Sequence, residues 1–189
     1  MPEVGGHVRA VDAGDADAVW RIFAAVVATG ETYVYPPEIG RDEGLADWLD
    51  GDCYVACAGG EVVGTYVVRA NRIGLGGHVA NASFMVDPAA HGRGIGRLLG
   101  EHCIAVAAAA GFRAIQFNFV VACNLAAVRL WESLGFAVVG RLPGAFHWRR
   151  ERYVDALVMF RSLVEGAPDP LLGLSSRAAG SCPPDAGLR

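Results

Sequence analysis

The chain has 189 residues, 53% of them hydrophobic and 19% charged, enough apolar material for one domain with a sizeable core. Its formal net charge of −4 argues against a nucleic-acid partner, and no apolar run approaches the roughly 20 residues that span a bilayer, so no membrane partner is expected. All 16 cationic side chains are arginine, which excludes Schiff-base lysine chemistry and the phosphate-binding lysine of a P-loop.

The elements follow in order. His7–Val11 reads as a first strand. Asp12–Gly30 reads as a helix: Val19, Ile22, Phe23, Val26 and Val27 recur at helical spacing, and Gly30 suits a C-cap. The loop Glu31-Thr32-Tyr33-Val34-Tyr35-Pro36-Pro37-Glu38 is too aromatic for a plain connector. It reads either as a packed loop or as one wall of a substrate pocket. Arg41–Leu49 is a second helix. Cys53–Ala58 and Glu61–Ala70 are strands joined by a tight hairpin turn. After the glycine-rich link Ile73–Gly77, His78–Val86 is the next strand. Gly94–Ala110 is a helix with Ile95, Leu98, Leu99, Cys103 and Val106 on one face. Ala114–Phe119 is a strand, and Asn124–Leu134 a helix that turns Ala127, Leu130, Trp131 and Leu134 inward. Phe136–Arg141 and Tyr153–Phe160 are the last strands.

The hairpin implies antiparallel pairing in the first half and the helical crossovers parallel pairing in the second, hence a mixed α/β sheet. Residues 1–164 read as one domain. From Glu165 onward the chain is rich in Gly, Ala, Pro and Ser without a period, so 165–189 reads as a mobile tail. The five cysteines, Cys53, Cys57, Cys103, Cys123 and Cys182, contain no CxxC pair and read as small core hydrophobes, with no metal expected. Met1–Ala10 lacks the charged-then-apolar pattern of a secretory leader, and a cytoplasmic protein is expected.

One stretch carries chemistry. Val86-Asp87-Pro88 ends an apolar strand, and His91-Gly92-Arg93-Gly94-Ile95-Gly96 turns directly into a helix. Such a turn presents several backbone N–H groups at a helix N-terminus, where an anion such as a phosphate is favoured. By glycine spacing alone the turn fits several phosphate compounds, or no ligand at all. A dinucleotide fingerprint would open the first βαβ unit, carry its third glycine one residue later and place an acid after the next strand; none of these holds.

The run from Val86 to Leu99 resembles motif A of the GCN5-related N-acetyltransferase (GNAT) superfamily, Q/R-x-x-G-x-G/A, with His91 at the leading position. Asn124-Leu-Ala-Ala-Val-Arg-Leu130-Trp131-Glu-Ser-Leu-Gly135-Phe136 resembles motif B, N-x-x-A-x-x-L-Y-x-x-x-G-F, with Trp131 at the tyrosine position. The element order from Val8 to Phe160 is similar as well. The resemblance implies a central mixed, mostly antiparallel sheet of about six or seven strands, splayed between 78–86 and 114–119 and flanked by about four helices. It also implies an acetyl-CoA-dependent N-acetyltransferase. Arg93, Gly94, Ile95, Gly96 and Arg97 would cradle the pyrophosphate, and Phe84, Met85 and Val86 would meet the pantetheine. An amide near Phe84 or Met85 would polarise the thioester carbonyl. Many members use the motif-B tyrosine to protonate the departing thiolate. An indole cannot do so, and Trp131 reads as core.

Asn81, Asn118 and Asn124 are similar in spacing to three asparagines of the yeast-type branch that acetylates proline analogues such as L-azetidine-2-carboxylate. That likeness implies Asn81 and Asn118 in carboxylate binding and catalysis and Asn124 on the cofactor side, although Asn124 also suits a helix N-cap. The loop holding Glu31, Tyr33 and Tyr35 resembles the substrate loop of phosphinothricin-type acetyltransferases. Together these imply a small-molecule amine acceptor, an amino acid or proline analogue, acetylated by direct transfer in a ternary complex. No carboxylate lies on strand 78–86 to act as general base; water held by Asn81 and Asn118, then His78, Glu31 and His147, are the candidates. Two rivals stay open. One is acetylation of a protein N-terminus or lysine, which needs an open groove. The other is a non-catalytic acyl-CoA-binding sensor. Relatives that dimerise through their C-terminal strands allow a homodimer here, with Trp148-Arg149-Arg150 at the edge.

Overall fold

The structure, a computed structural model, describes residues 6–166. The expected tail lies outside the described residues apart from Glu165 and Gly166, and so does Cys182. Seven strands, β1 (Gly6–Ala10), β2 (Asp52–Ala58), β3 (Glu61–Ala70), β4 (Val79–Val86), β5 (Ala114–Val121), β6 (Ala137–Trp148) and β7 (Arg152–Ser162), form one sheet. Their order is β1-β2-β3-β4-β5-β7-β6. Among the described residues four α-helices flank it: α1 (Ala16–Val27), α2 (Arg41–Trp48), α3 (Ile95–Ala109) and α4 (Leu125–Ser133).

Only β4 and β5 are parallel; every other neighbouring pair is antiparallel. The expectation of parallel pairing through the second half is corrected at β6. Helix α4 connects β5 to β6, but β7 lies between them and pairs antiparallel with both. The cause is local: β6 turns back at Arg149–Glu151 and delivers β7 to the vacant edge of β5. Strand β6 also runs on to Trp148, past the expected end at Arg141. Pro143 and Gly144 look like breakers, but β6 is an edge strand, and a register shift between Leu142 and Phe146 absorbs them.

The sheet is buried on both faces. Val19, Ile22, Phe23 and Val27 of α1 and Trp48 of α2 pack on Val55, Val67 and Met85. Ile95, Leu99 and Cys103 of α3 and Trp131 of α4 pack on Tyr66, Ile115, Phe117 and Met159. Each fully buried large apolar side chain contributes roughly 1.5–3 kcal/mol, so these two stripes hold the helices to the sheet. The first expected helix starts late. Asp12 caps a 3-10 turn at Ala13–Asp15, and the buried Asp15 carboxylate accepts from the Asp12 N–H at 2.8 Å and from Arg9 at 2.6 and 2.8 Å. Cys53, Cys57 and Cys103 are buried free thiols, and burial pushes the Cys103 pKa up to about 12, as suits an inert core residue. No helix among the described residues is long and apolar enough to cross a membrane.

The feature that positions the site is the junction of β4 and β5. They pair only at Val79–Ala114 and Ala80–Ile115, and diverge beyond. A bulge in β5 between Phe117 and Val120 keeps that strand on β7 while it bends away from β4. The expected splay is present.

Candidate active site

The wedge between β4 and β5 opens into a cavity of about 690 Å³ that runs from the N-terminus of α3 to the loop after α1. At one end stand Gly92, Gly94, Ile95 and Gly96. Gly94 is the N-cap of α3 at φ +80°, a conformation that a side chain resists, and it offers no side-chain acceptor. The contrast with Asp12 and Asn124, whose side chains cap their own elements, is direct. Helix α3 therefore begins with backbone donors that no side chain claims, next to open space. Gly96 serves packing: a Cβ there would stand 3.1 Å from Leu130 Cδ2 on α4.

Strand β4 supplies the second part. The Asp87 N–H donates to the Val63 carbonyl, and the Val79 carbonyl accepts from Asn71. Odd-numbered residues thus direct their backbone groups to β3, and by alternation Phe84 and Val86 direct theirs into the wedge. Phe84 N–H is accordingly the amide aimed at the cavity. Met85 instead buries its side chain against α1 and α2. An uncapped helix N-terminus and a strand edge that β5 leaves behind fit a ligand with a diphosphate and a chain of amides, which is the chemistry of coenzyme A.

The arginines of the turn stand apart. Arg93 is exposed and outside the cavity wall. Arg97 turns toward α4, donating to Ser133 Oγ at 2.7 Å and pairing with Glu101 at 3.4 Å. His91 lines the cavity, with Nε2 3.3 Å from the Val86 carbonyl. Asn124 caps α4 by accepting from Ala127 N–H at 3.2 Å and also lines the cavity, so its NH2 group can serve a ligand. Trp131 packs 4.7 Å from Phe84 and 4.8 Å from Phe117, centroid to centroid, as an aromatic wall.

At the other end the amides converge. Asn81 Nδ2 crosses the wedge to donate to the Gln116 carbonyl at 2.8 Å. Gln116 Nε2 donates to Asn118 Oδ1 at 2.8 Å, and Asn118 Nδ2 donates to Asn71 Oδ1 at 2.7 Å. Arg69 stands opposite Asn81 in the β3–β4 register and is, among the described residues, the one arginine lining the cavity. It donates to the Asp50 carbonyl at 3.0 Å and approaches the Asp50 carboxylate at 3.3 Å.

The loop after α1 forms the facing wall. Glu31, Thr32, Tyr33, Val34 and Tyr35 line the cavity. Thr32 Oγ1 is buried with no hydrogen-bond partner among the described residues. Tyr33 is engaged twice by one residue: its hydroxyl accepts from Phe84 N–H at 2.9 Å and donates to the Phe84 carbonyl at 2.6 Å. Burial pushes its pKa far up, so it is a protonated donor at any working pH. Tyr35 donates to Asp47. The loop is tied down by the β6–β7 turn. Arg149 N–H donates to the Gly30 carbonyl at 2.8 Å, Arg149 pairs with Glu31, and Arg150 pairs with Glu38 at 2.6 Å. Of the candidate bases, Glu31 lines the cavity but is held by Arg149. His78, bonded to the Leu75 carbonyl, and His147, stacked on Tyr153, are not in the wall. No group of three or more His, Cys, Asp or Glu among the described residues is placed to hold a metal ion.

The cavity thus gathers Glu31, Tyr33, Tyr35, Asn81, Phe84, Met85, Val86, Gly94, Ile95, Gly96, Asn118 and Asn124, and leaves out Arg93 and Arg97. Sequence reasoning passed over Thr32, Arg69, Asn71 and Gln116. Gln116 was within reach, since strand alternation puts it beside Asn118. Arg69 and Asn71 required the β3–β4 register.

A sheet that splays over an uncapped helix N-terminus is the arrangement of an acyl-CoA-binding fold. Residues 20–136 match the acetyltransferase (GNAT) family profile, and the chain belongs to that family. A solved GCN5-related N-acetyltransferase from Kribbella flavida is 44% identical, with a TM-score of 0.80 over 86% of this chain and 99% of that one. The structure of yncA from Salmonella typhimurium, solved with its cofactor acetyl-CoA, is 27% identical, with a TM-score of 0.75 over 87% and 98% of the two chains. The N-acetyltransferase aca1 of Schizosaccharomyces pombe is 35% identical over 98 residues, 51% of this chain. That match spans 47% of the S. pombe protein's own length, so less than half of that relative is represented here. Acetyl-CoA is the cofactor of the family.

Proposed function

We propose that the acceptor is a small zwitterionic amine, an amino acid or proline analogue, acetylated by direct attack within a ternary complex. The observation that carries this reading is the acceptor end of the cavity, where a linked cluster of carboxamides stands beside a single arginine. Carboxamides can hold an amine and a carboxylate without fixing either charge, and a guanidinium is matched to a carboxylate. The facing wall is tied down by Arg149 and Arg150, which favours a closed pocket over a peptide groove.

Bound acetyl-CoA supplies an acetyl group on a thiol leaving group. The first amides of α3 would hold the diphosphate, and the edge of β4 would pair with the pantetheine arm. Phe84 N–H polarises the carbonyl and stabilises charge developing on its oxygen. Asn81 and Asn118 orient the acceptor amine, and Arg69 takes its carboxylate. With Glu31 engaged by Arg149, the amine proton passes to water held in the amide cluster. Positioning and carbonyl polarisation then carry most of the rate.

Thiol release from acetyl-CoA, measured over a panel of amino acids and proline analogues each paired with its methyl ester, tests this. The acids should be acetylated with kcat/KM at least about 10-fold above the esters, the cost of an unpaired buried charge-assisted contact. Asn81→Ala and Asn118→Ala should each lose about 100-fold in acceptor kcat/KM while acetyl-CoA affinity stays within about 2-fold. Tight acetyl-CoA binding with no turnover of any amine would leave the sensor reading in its place.

A further inference from the structure

We infer that the Tyr33 hydroxyl is the resident occupant of the acyl-carbonyl subsite, and that a carbonyl-bearing acyl-CoA must displace it to reach Phe84 N–H. The inference rests on the reading of that amide as the carbonyl polariser.

The geometry is specific. A hydroxyl oxygen 2.9 Å from an amide nitrogen stands where a carbonyl oxygen accepting from that nitrogen would stand. Two oxygens cannot occupy that one position, so a carbonyl that takes the full bond must move the hydroxyl aside. The same hydroxyl spends its only proton on the Phe84 carbonyl, so the strand edge of Phe84 is fully satisfied in the free protein. The ring does not reach this position by chance. It stacks 6.0 Å from Tyr35 and meets Trp48 edge-on at 5.8 Å, while Gly30 and Glu31, just before it, are bonded to Arg149. A side chain of the acceptor wall thus closes the catalytic point of the cofactor strand across 51 positions of sequence.

Two functions follow. The hydroxyl keeps Phe84 N–H aimed and dry until the acyl group arrives, so the donor requires no reorganisation at the moment of use. Displacement also frees the aromatic wall, because Tyr33 is the contact between its loop and β4. Acetyl-CoA arrival and adjustment of the acceptor pocket therefore become one event, whereas free coenzyme A, which lacks the carbonyl, leaves Tyr33 in place.

Calorimetric titration of wild type, Tyr33→Phe and Tyr153→Phe with acetyl-CoA and with coenzyme A tests this without any acceptor. Tyr33→Phe keeps the ring and its stacking. It should bind acetyl-CoA about 2- to 10-fold tighter than wild type, the range of one net hydrogen bond, with coenzyme A affinity unchanged. Tyr153→Phe, at an exposed ring outside the cavity wall, should change neither. A preference for acetyl-CoA over coenzyme A that is present and equal in wild type and Tyr33→Phe would overturn the role of Tyr33 alone. No preference in either protein would overturn the reading of Phe84 itself. A parallel shift for both ligands in Tyr33→Phe, tracking a change in thermal stability, would mark a structural role only and equally overturn the inference.

Discussion

The hydroxyls of Tyr33 and Tyr66 show how one residue type is set to different work by what stands opposite it. Tyr33 satisfies a strand edge. Tyr66, buried under α3, has its hydroxyl 2.8 Å from His102 Nδ1. Burial raises the Tyr66 pKa and lowers that of His102, so both groups of the pair are held neutral. The sign of the pH effect follows. A histidine whose folded pKa is depressed contributes stability that is complete above its unfolded pKa, about 6.5, and is lost as the pH falls toward the folded value. Asp15 and Asp87 are also depressed, by Arg9 and Arg21, but their contributions are lost only below about pH 4. Urea unfolding should therefore show wild-type stability declining from pH 7 to pH 5, and His102→Asn should flatten that decline. An unchanged slope in the variant would remove His102 from the account. At this scale the sequence was legible where a residue acts through its neighbours in the chain. Asn124 was readable as a cap because its partner, Ala127, lies three residues on. The Tyr33–Phe84 and Asn118–Asn71 bonds, 51 and 47 positions apart, have no local trace.

Among the elements, α3 is the most heavily constrained, and its glycines separate two kinds of constraint. Gly94, at φ +80°, shapes the ligand-facing end. Gly100 lies mid-helix, where a Cβ would fall 2.6 Å from Leu134 Cδ1 and 3.0 Å from Trp131. Gly94→Ala should weaken acetyl-CoA binding about 10-fold with a stability loss of about 1 kcal/mol from the left-handed backbone. Gly100→Ala should destabilise by about 1–3 kcal/mol through overpacking against α4, with acetyl-CoA affinity nearly unchanged in the folded fraction. Titration and denaturant melts on both proteins distinguish them; equal effects on affinity would mean that the turn has no special part in binding. The helix and its turn were readable because glycine spacing and apolar period are short-range signals. The C-terminal strands were readable as strands, but their order in the sheet and the length of β6 were not. Whether β6 or β7 lies beside β5 depends on which edge is vacant after the turn at Arg149–Glu151, a property of the assembled sheet, and the length of β6 depends on its edge position, which tolerates Pro143.

Across the whole molecule, the acceptor wall is fastened by residues 118 positions away, Glu31 by Arg149. The fastening carries strain, since Arg149 and Arg150 both adopt left-handed backbone, at φ +51° and +58°. Replacing both with glycine removes that strain and the two ion pairs together. Global stability should then change little, because exposed pairs are worth at most about 1 kcal/mol each and relief of strain is of similar size. Acceptor KM should rise by about 3- to 10-fold as the wall loosens. Steady-state kinetics with the best acceptor of the panel decides this, and an unchanged KM would show that the wall stands without its ties. The same long connection bears on synthesis. The cofactor-side residues of the cavity, from Phe84 to Trp131, leave the ribosome before Arg149 does. A growing chain can therefore assemble its phosphate cradle, with Tyr33 bonded to Phe84, while the facing loop still lacks its ties to Arg149 and Arg150. The last turn of the sheet then acts as a latch, closing the acceptor pocket only after the β6–β7 turn has emerged.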